Sequence, residues 1–351
     1  WQREKFTGLA PELASFQPVQ NNISFNHAGA TRGLHAEPWD KLVSVAQGRI
    51  FGAWCDLREG SESFGEVVTH EVGPETAVFV PRGVANGFQA LEETSYCYLV
   101  NEHWSAEARY AAVNLNIVDW PLEPTEISEK DKQHPDLAEV SPMPARRILV
   151  TGANGQLGRA LKRLLADAEF CSHADFDITN PPERNWKQYS AIINCAAYND
   201  VNGAENDRAA AWAVNAEAPA RLARIAAENQ LTLVHVSSDY IFDGANEVHT
   251  EEELPSPLSA YGASKAAGDT AAQTAPQHYV IRTSWVFGEG ENFMSTMRRL
   301  AAKGVEPKVI HDQRGRPTFA EDLAKGIVHL LKSGADYGVY NLSNSGDTVG
   351  R

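Results

Sequence analysis

The chain has 351 residues, a formal net charge of −15, 43% hydrophobic residues and 22% charged ones. That length exceeds what one small core needs and the composition is ordinary for globular domains, so a two-domain soluble enzyme is expected. The acidic balance argues against a nucleic-acid or anionic-membrane partner, and no apolar run is long enough for a transmembrane helix. Cys55, Cys97, Cys171 and Cys195 show no C-x-x-C pairing and fall in expected strands. Reduced thiols in a cytoplasmic protein are therefore expected, not disulfides.

The first 140 residues lack long amphipathic periodicity. Short β-rich runs at residues 41–46, 49–57, 66–72, 77–81 and 94–100 are punctuated by Gly and Pro, as in an all-β barrel or sandwich. A Pro- and charge-rich stretch, residues 122–146, carries the boundary. Domains at 1–140 and 146–351 are expected, joined by a linker at 141–145 whose Ser141-Pro142-Met143-Pro144 is too short for free tumbling.

The second domain opens on residues 147–158, which read as a buried strand, a glycine turn and a helix start. Gly152 permits the tight turn, Gly155 lets backbone N–H groups around Asn154, Gln156 and Leu157 approach phosphate oxygens, and Gly158 lets the helix pack close to the strand. Leu157, Leu161, Leu164 and Leu165 share a face of that helix, whose N-terminus can point at a dinucleotide pyrophosphate. Residues 168–171 form the next strand, and Ser172-His173 follow it without an acidic residue to claim a ribose 2′-hydroxyl. That favours NADPH, with NADH accepted; Asp175 or Asp177 would reverse the preference.

Strands at 191–197, 231–238 and 279–284 alternate with helices at 206–213, 217–228 and 320–332, the pattern of a parallel sheet covered on both faces. The last helix has a capping-box pattern at Thr318 and Glu321 and a stop at Gly334. Between the later strands lie Ser237-Ser238-Asp239-Tyr240 and Tyr261-Gly262-Ala263-Ser264-Lys265. Tyr261 and Lys265, at i and i+4, share a helix face, and an adjacent ammonium favours the ionised phenol. Ser238 could hold a carbonyl oxygen while Tyr261 supplies a proton and a nicotinamide supplies hydride.

At "TGANGQLG", "NCAAYNDVNGAEND", "VSSDYIFDG", "PLSAYGASKAAGD", "IRTSWVFG" and "DQRGRPT", residues 147–341 resemble the extended short-chain dehydrogenase/reductases, and within them the dTDP-4-dehydrorhamnose reductases. The resemblance implies a Rossmann fold, Ser238, Tyr261 and Lys265 as catalytic residues, and Asp239, Tyr240 and Trp285 as contacts to a nucleotide sugar. It frames the cofactor with Asp177, Ile178, Ala196, Ala197, Tyr198 and Asn215, and places the end of the substrate lobe beyond Arg351.

"QNNISFN", "TRGLHAEPWDKLVSV", "FVPRGVANGFQAL" and "DWPLEPTEISEKDKQHPDLAE" resemble the cupin-fold dTDP-4-dehydrorhamnose 3,5-epimerases. This implies a jelly roll with His35 as base, Arg32 on the substrate diphosphate and Lys41 on the enolate oxygen. Three positions depart from that family. No carboxylate stands near Val113 and Asn114 to orient His35, His103 stands near the usual opposing tyrosine, and Asn86 replaces a histidine. The span from Ala112 to Trp120 is short, as if residues were absent. The combined resemblance implies a homodimeric enzyme that epimerises C3 and C5 of dTDP-4-dehydro-6-deoxy-glucose and then reduces C4 to give dTDP-L-rhamnose. The alternative is a reductase with a degenerate cupin as an interaction module. No metal site is expected, since His27 and His35 are not joined by closely spaced ligands.

Overall fold

The computed structural model describes Lys5, Leu13 and residues 16–106, 108–290, 292–306 and 313–350; Asp312 of the "DQRGRPT" segment lies outside them. The chain divides into two compact units, Trp1–Ala145 and Arg146–Arg351.

In the first unit, strands β1 (Gln20–Asn26), β2 (Thr31–Ala36), β3 (Lys41–Gln47), β4 (Ile50–Asp56), β5 (Val67–Val72), β6 (Ala77–Val80), β7 (Val84–Ala90), β8 (Thr94–Val100) and β9 (Ala111–Ala112) build two antiparallel sheets. Their orders are β1-β8-β3-β6 and β5-β4-β7-β2-β9. Side chains alternate across each strand, so each residue commits to one face. Val43, Val45, Ile50, Trp54, Phe88 and Tyr96 meet between the sheets. On the outer face of the five-stranded sheet, Leu34, Cys55 and Ala85 pack on Val113, Val118, Val140 and Met143 from the downstream segment. With both faces covered, β4 is buried along nearly its whole length and reads as an apolar run without alternation.

Two segments of this unit are held in place by specific hydrogen bonds. Met143 is buried, and its N–H donates to the Leu57 carbonyl at 2.7 Å, so the expected linker is fastened to the first unit. The short span from Ala112 to Trp120 closes through a 3₁₀ turn, Leu115–Ile117, with the Trp120 indole N–H donating to the Leu115 carbonyl at 3.0 Å.

In the second unit, β10 (Arg147–Thr151), β11 (Glu169–Cys171), β12 (Tyr189–Asn194), β13 (Thr232–Val236), β14 (His278–Arg282), β15 (Val286–Phe287), β16 (Arg314–Gly315), β17 (Thr318–Phe319), β18 (Gly338–Asn341) and β19 (Val349–Gly350) are the strands. The helices are α1 (Gln156–Leu164), α2 (Gly203–Asn206), α3 (Arg208–Trp212), α4 (Ala218–Asn229), α5 (Ala260–Ala272), α6 (Phe293–Ala302) and α7 (Ala320–Ser333). Six strands form one parallel sheet in the order β11-β10-β12-β13-β14-β18. Neighbouring residues diverge to its two faces. Leu149, Ile192, Leu233 and Val280 pack under Leu222 and Ala226 of α4, while Val150, Ile193, Val234 and Ile281 pack under Leu161 of α1 and Ile327 of α7. Each such fully buried aliphatic side chain stabilises by about 1.5–3 kcal/mol. The sheet order reverses between β10 and β12, and in open parallel sheets that crevice is where ligands bind.

Local departures from the sequence reading have local causes. The helix expected at 206–213 is broken at Asp207, whose carboxylate instead caps α3 by accepting the Ala210 N–H at 3.0 Å. Thr318 pairs with Val286 in a short parallel bridge, so the capping box fails, and Phe319 is the N-cap residue with no side-chain hydrogen bond. Gly334 does end α7, at a φ of 66°. Leu164 stays exposed at the end of α1. All four cysteines are free, and no described helix is long and apolar enough to cross a membrane.

Candidate active sites

Above the crevice of the second unit lies a cavity of about 650 Å³. Gly152, at a φ of 71°, turns the chain off β10, and a Cβ on it would stand 2.8 Å from the Ala196 nitrogen. A Cβ on Gly158 would lie 2.4 Å from the Gly152 carbonyl, so only glycine permits α1 to start this close to the turn. Gly155 is the N-cap of α1 and offers no side-chain acceptor, so the first N–H groups remain available to an anion where Gly155, Gln156, Leu157 and Gly158 line the cavity.

The opposite wall holds Ser238, Asp239, Tyr240, Tyr261, Lys265 and Trp285, with Ala197 nearby. Ser238 ends the run after β13, and Tyr261 and Lys265 lie on α5, whose N-cap Ser259 accepts the Gly262 N–H. Trp285 sits at a φ of 40°, a strained conformation for a bulky residue, and Gly315 leaves room for its indole. Other sequence-selected positions act beneath the cavity. Asn215 is buried and clamps Tyr198, accepting its N–H at 2.9 Å and donating to its carbonyl at 3.0 Å. Ile178 is a core residue. The Asp177 carboxylate accepts the Thr179 N–H at 2.8 Å, and Asp175 accepts both the N–H and hydroxyl of Ser172. Gly152, Asn154 and Ala196 shape the turn without lining the cavity. Sequence reasoning missed Thr283, Asn292 and Phe293, which do line it; only Thr283 fell in a segment already singled out.

The electrostatics differ from expectation. Burial pushes the Tyr261 phenol up to about 12; the Ser238 hydroxyl pulls it back, while Asp239 and Tyr240 add to the rise. The phenol is therefore held as an acid, because Lys265 donates its ammonium to the Val236 carbonyl at 2.7 Å and does not offset that burial. Burial lowers Lys265 to about 8, with Asp269 and Cys195 opposing the fall. Asp269, also buried, is tied to Arg282 at 2.9 Å.

The first unit has a cleft of about 370 Å³ lined by His35, Glu37, Tyr98, Tyr110, Lys130 and His134, among others. His35 Nε2 lies 2.8 Å from Asp131 Oδ1. An ionised carboxylate only accepts, so the proton sits on Nε2 and the lone pair on Nδ1. Asp131 is itself buried, and the Gly33 N–H donates to its Oδ2 at 3.2 Å. Burial alone would raise its carboxyl, but the hydrogen bond and charge of His35, with Gly33 and Ser128, hold it below the usual range. This corrects the expectation that His35 has no carboxylate: the partner comes from "SEKD", 96 positions downstream, in a polar run that reads as solvated surface. Arg32 pairs with Glu126 at 2.6 Å and Lys41 with Glu37 at 2.5 Å; neither cation lines the cleft. His103 lies outside the lining as well, whereas Tyr98 and Tyr110 bring phenols into it. Asn86, buried, donates to the Tyr96 hydroxyl at 3.0 Å.

The Lys265 shift has a measurable consequence. Between about pH 8 and the ordinary lysine value of 10.5, the unfolded chain keeps a proton that the folded chain has released, so this group adds stability as pH rises. Urea unfolding of the parent and a Lys265→Met variant will show the parent gaining on the variant through that window; parallel pH profiles would refute the buried-ammonium assignment.

Comparison with known proteins gives the same division. Residues 146–349 match the family model described as RmlD substrate binding domain, and residues 1–139 match that of dTDP-4-dehydrorhamnose 3,5-epimerase. A dTDP-4-dehydrorhamnose reductase of Mycobacterium tuberculosis is 39% identical over 216 residues, covering 58% of this chain and 71% of that protein. A protein of Streptococcus pyogenes named RmlC homolog is 52% identical over 154 residues, covering 41% of this chain and 78% of that protein. The crystal structure of a Bacillus anthracis dTDP-4-dehydrorhamnose reductase in complex with NADP matches 57% of this chain and 75% of its own, at 35% identity and a TM-score of 0.52. The chain thus belongs to two families, the RmlD family through its second unit and the dTDP-4-dehydrorhamnose 3,5-epimerase family through its first.

Proposed function

We propose that the chain is a bifunctional enzyme of dTDP-L-rhamnose formation, with the first unit epimerising C3 and C5 of dTDP-4-dehydro-6-deoxy-glucose and the second reducing the C4 ketone with NADPH. The observation that carries the two-step reading is the His35–Asp131 hydrogen bond. An imidazole held by a buried carboxylate inside a cleft is equipped to take a proton from carbon, which a degenerate cupin module would not need. His35 Nδ1 accepts the proton next to the C4 carbonyl, and the negative charge that builds on the carbonyl oxygen requires a cation. Lys41 supplies it, and Arg32 meets the diphosphate, when the substrate's oxygens replace Glu37 and Glu126 as their partners. A proton returns to the other face of the ring from a phenol, and Tyr110 and Tyr98 are the phenols in the cleft.

In the second unit, the glycine turn and the open N-terminus of α1 fit a dinucleotide pyrophosphate. NADPH, when bound, supplies hydride to C4. Tyr261 gives its proton to the carbonyl oxygen, so the ketone becomes an alcohol, and the raised pKa keeps that proton in place until it is needed. Ser238 holds the same oxygen, Lys265 contributes positive charge below about pH 8, and Asp239, Tyr240 and Trp285 contact the sugar. Asp175 and Asp177 are both engaged in their own turns, which supports a 2′-phosphate and hence NADPH over NADH. We also assign a cytoplasmic homodimer. The β1 edge exposes Ile23 and Phe25, an apolar strip that pairing with a second copy would cover, and a sedimentation mass of one chain would overturn this.

Two substitutions separate the steps. Asp131→Asn should cut solvent deuterium uptake at C3 and C5 by about 100-fold or more while reduction of pre-epimerised ketone continues; undiminished uptake would remove the dyad from the mechanism. Tyr261→Phe should lower NADPH oxidation by about two orders of magnitude with NADPH affinity little changed, and a rate close to the parent's would contradict its role as proton donor.

A further inference from the structure

The cleft of the first unit contains an imidazole that the proton-transfer scheme leaves unused. His134 follows the 3₁₀ turn Asp131–Gln133, is 9% exposed, and neither of its ring nitrogens makes a hydrogen bond of normal geometry. Its ring stands edge-on to that of His35, with centroids 5.0 Å apart and planes at 80°. Its Nε2 lies 3.9 Å from Asp131 Oδ1, the same oxygen that His35 Nε2 holds at 2.8 Å. A buried polar ring engaged only weakly, through the Gly33 backbone and the charge of Asp131, is a cost to the fold unless something else meets it.

One donor atom from each of His35, Asp131 and His134 falls within a group no wider than 4.8 Å. Two imidazole nitrogens and one carboxylate oxygen are the donor set of a three-ligand zinc site. Metal–ligand bonds of about 2.0–2.2 Å in tetrahedral geometry put neighbouring donors about 3.4 Å apart, a value that 2.8 and 3.9 Å bracket. The outer support is also present, since the Gly33 N–H fixes Asp131 Oδ2 and leaves Oδ1 turned toward both rings. Lys130, in the same cleft, works against a cation without blocking the three donors. The set went unnoticed in the sequence because His35 stands about a hundred positions from the other two ligands.

We propose that His35, Asp131 and His134 form an inhibitory site for a borderline divalent cation of the zinc class. Coordination at His35 Nε2 requires that ring proton to move to Nδ1, which removes the lone pair that accepts the substrate's proton. No proton is lost overall and nothing is oxidised or reduced; the metal exchanges waters for three side chains and caps the base.

The test uses the full chain, stripped with a chelator and titrated with Co²⁺ as a visible probe and with Zn²⁺ as competitor. One equivalent of Co²⁺ should give the absorption of a low-coordinate nitrogen and oxygen site, and Zn²⁺ should displace it. Zn²⁺ should suppress deuterium uptake in step with occupancy, a chelator should restore it, and NADPH oxidation with pre-epimerised ketone should persist. His134→Gln, checked for folding by circular dichroism and retained reductase rate, should weaken Co²⁺ binding by at least the ~10- to 100-fold that even loss of a supporting residue costs. Equal Co²⁺ affinity in His134→Gln and the parent, or no stoichiometric binding at micromolar metal, would overturn the site. Full occupancy with undiminished deuterium uptake would overturn its inhibitory role. The metal arm is read by spectroscopy, so its failure is distinguishable from failure of the epimerase reading, in which the metal-free chain itself takes up no deuterium.

Discussion

Taking charge out of water is the constraint around which both units are arranged. A carboxylate or ammonium moved into a protein interior loses several kcal/mol of hydration unless partners replace it, and each unit places such a group beside its cavity. In the first, Asp131 is buried and survives as an anion because the Gly33 N–H and the His35 ring meet its two oxygens. In the second, Lys265 is buried with one carbonyl partner and yields, its pKa falling to about 8. The difference in outcome follows from the number of partners. Asp131 stays charged and orients a base, while Lys265 is left poised near neutrality beside a phenol that burial keeps protonated.

The sheets make these burials possible. The parallel sheet carries apolar side chains on both faces, so its strand ends are the one place where polar residues can gather at the edge of the core without disrupting it. Ser237, Ser238 and Thr283 follow β13 and β14 at that edge, and Asn194 closes β12 by hydrogen bonding to Thr151 and His235. Helix α5 comes close because Gly268 faces the Asn215 carbonyl, where a Cβ would stand 2.0 Å away. In the first unit the downstream segment does the equivalent work. It seals the outer face of the five-stranded sheet with Val113, Val118, Val140 and Met143, and on the same pass brings His134 to the cleft and Asp131 up behind His35.

Features set by neighbours in sequence were legible beforehand. The turn at Gly152, the spacing of Tyr261 and Lys265, the apolar strands of the parallel sheet and the stop at Gly334 all depend on residues within a few positions of one another. What depended on distant partners was not. Thr318 looks like a cap until Val286 claims it as a strand partner. Asp177 looks free to meet a ribose until its own turn takes one of its oxygens, Oδ1, with the Thr179 N–H and hydroxyl. Asp131 lies in a run of charges, Ser-Glu-Lys-Asp-Lys, that reads as solvated, and only the fold shows it buried against β2. The direction of the Tyr261 shift was missed for the same reason, since adjacency to a lysine was visible and the depth of burial was not.

The route by which Asp131 reaches His35 bears on how the protein is made. A ribosome releases the N-terminal strands first, and the jelly roll can begin to pair while translation continues. The base is then present without the group that orients it. Only after the polypeptide through Met143 has emerged can the last apolar strip close over the sheet and complete the dyad. The dyad of the first unit is therefore completed only while the second unit is being synthesised, so the order of synthesis follows the order in which the two chemistries would be used.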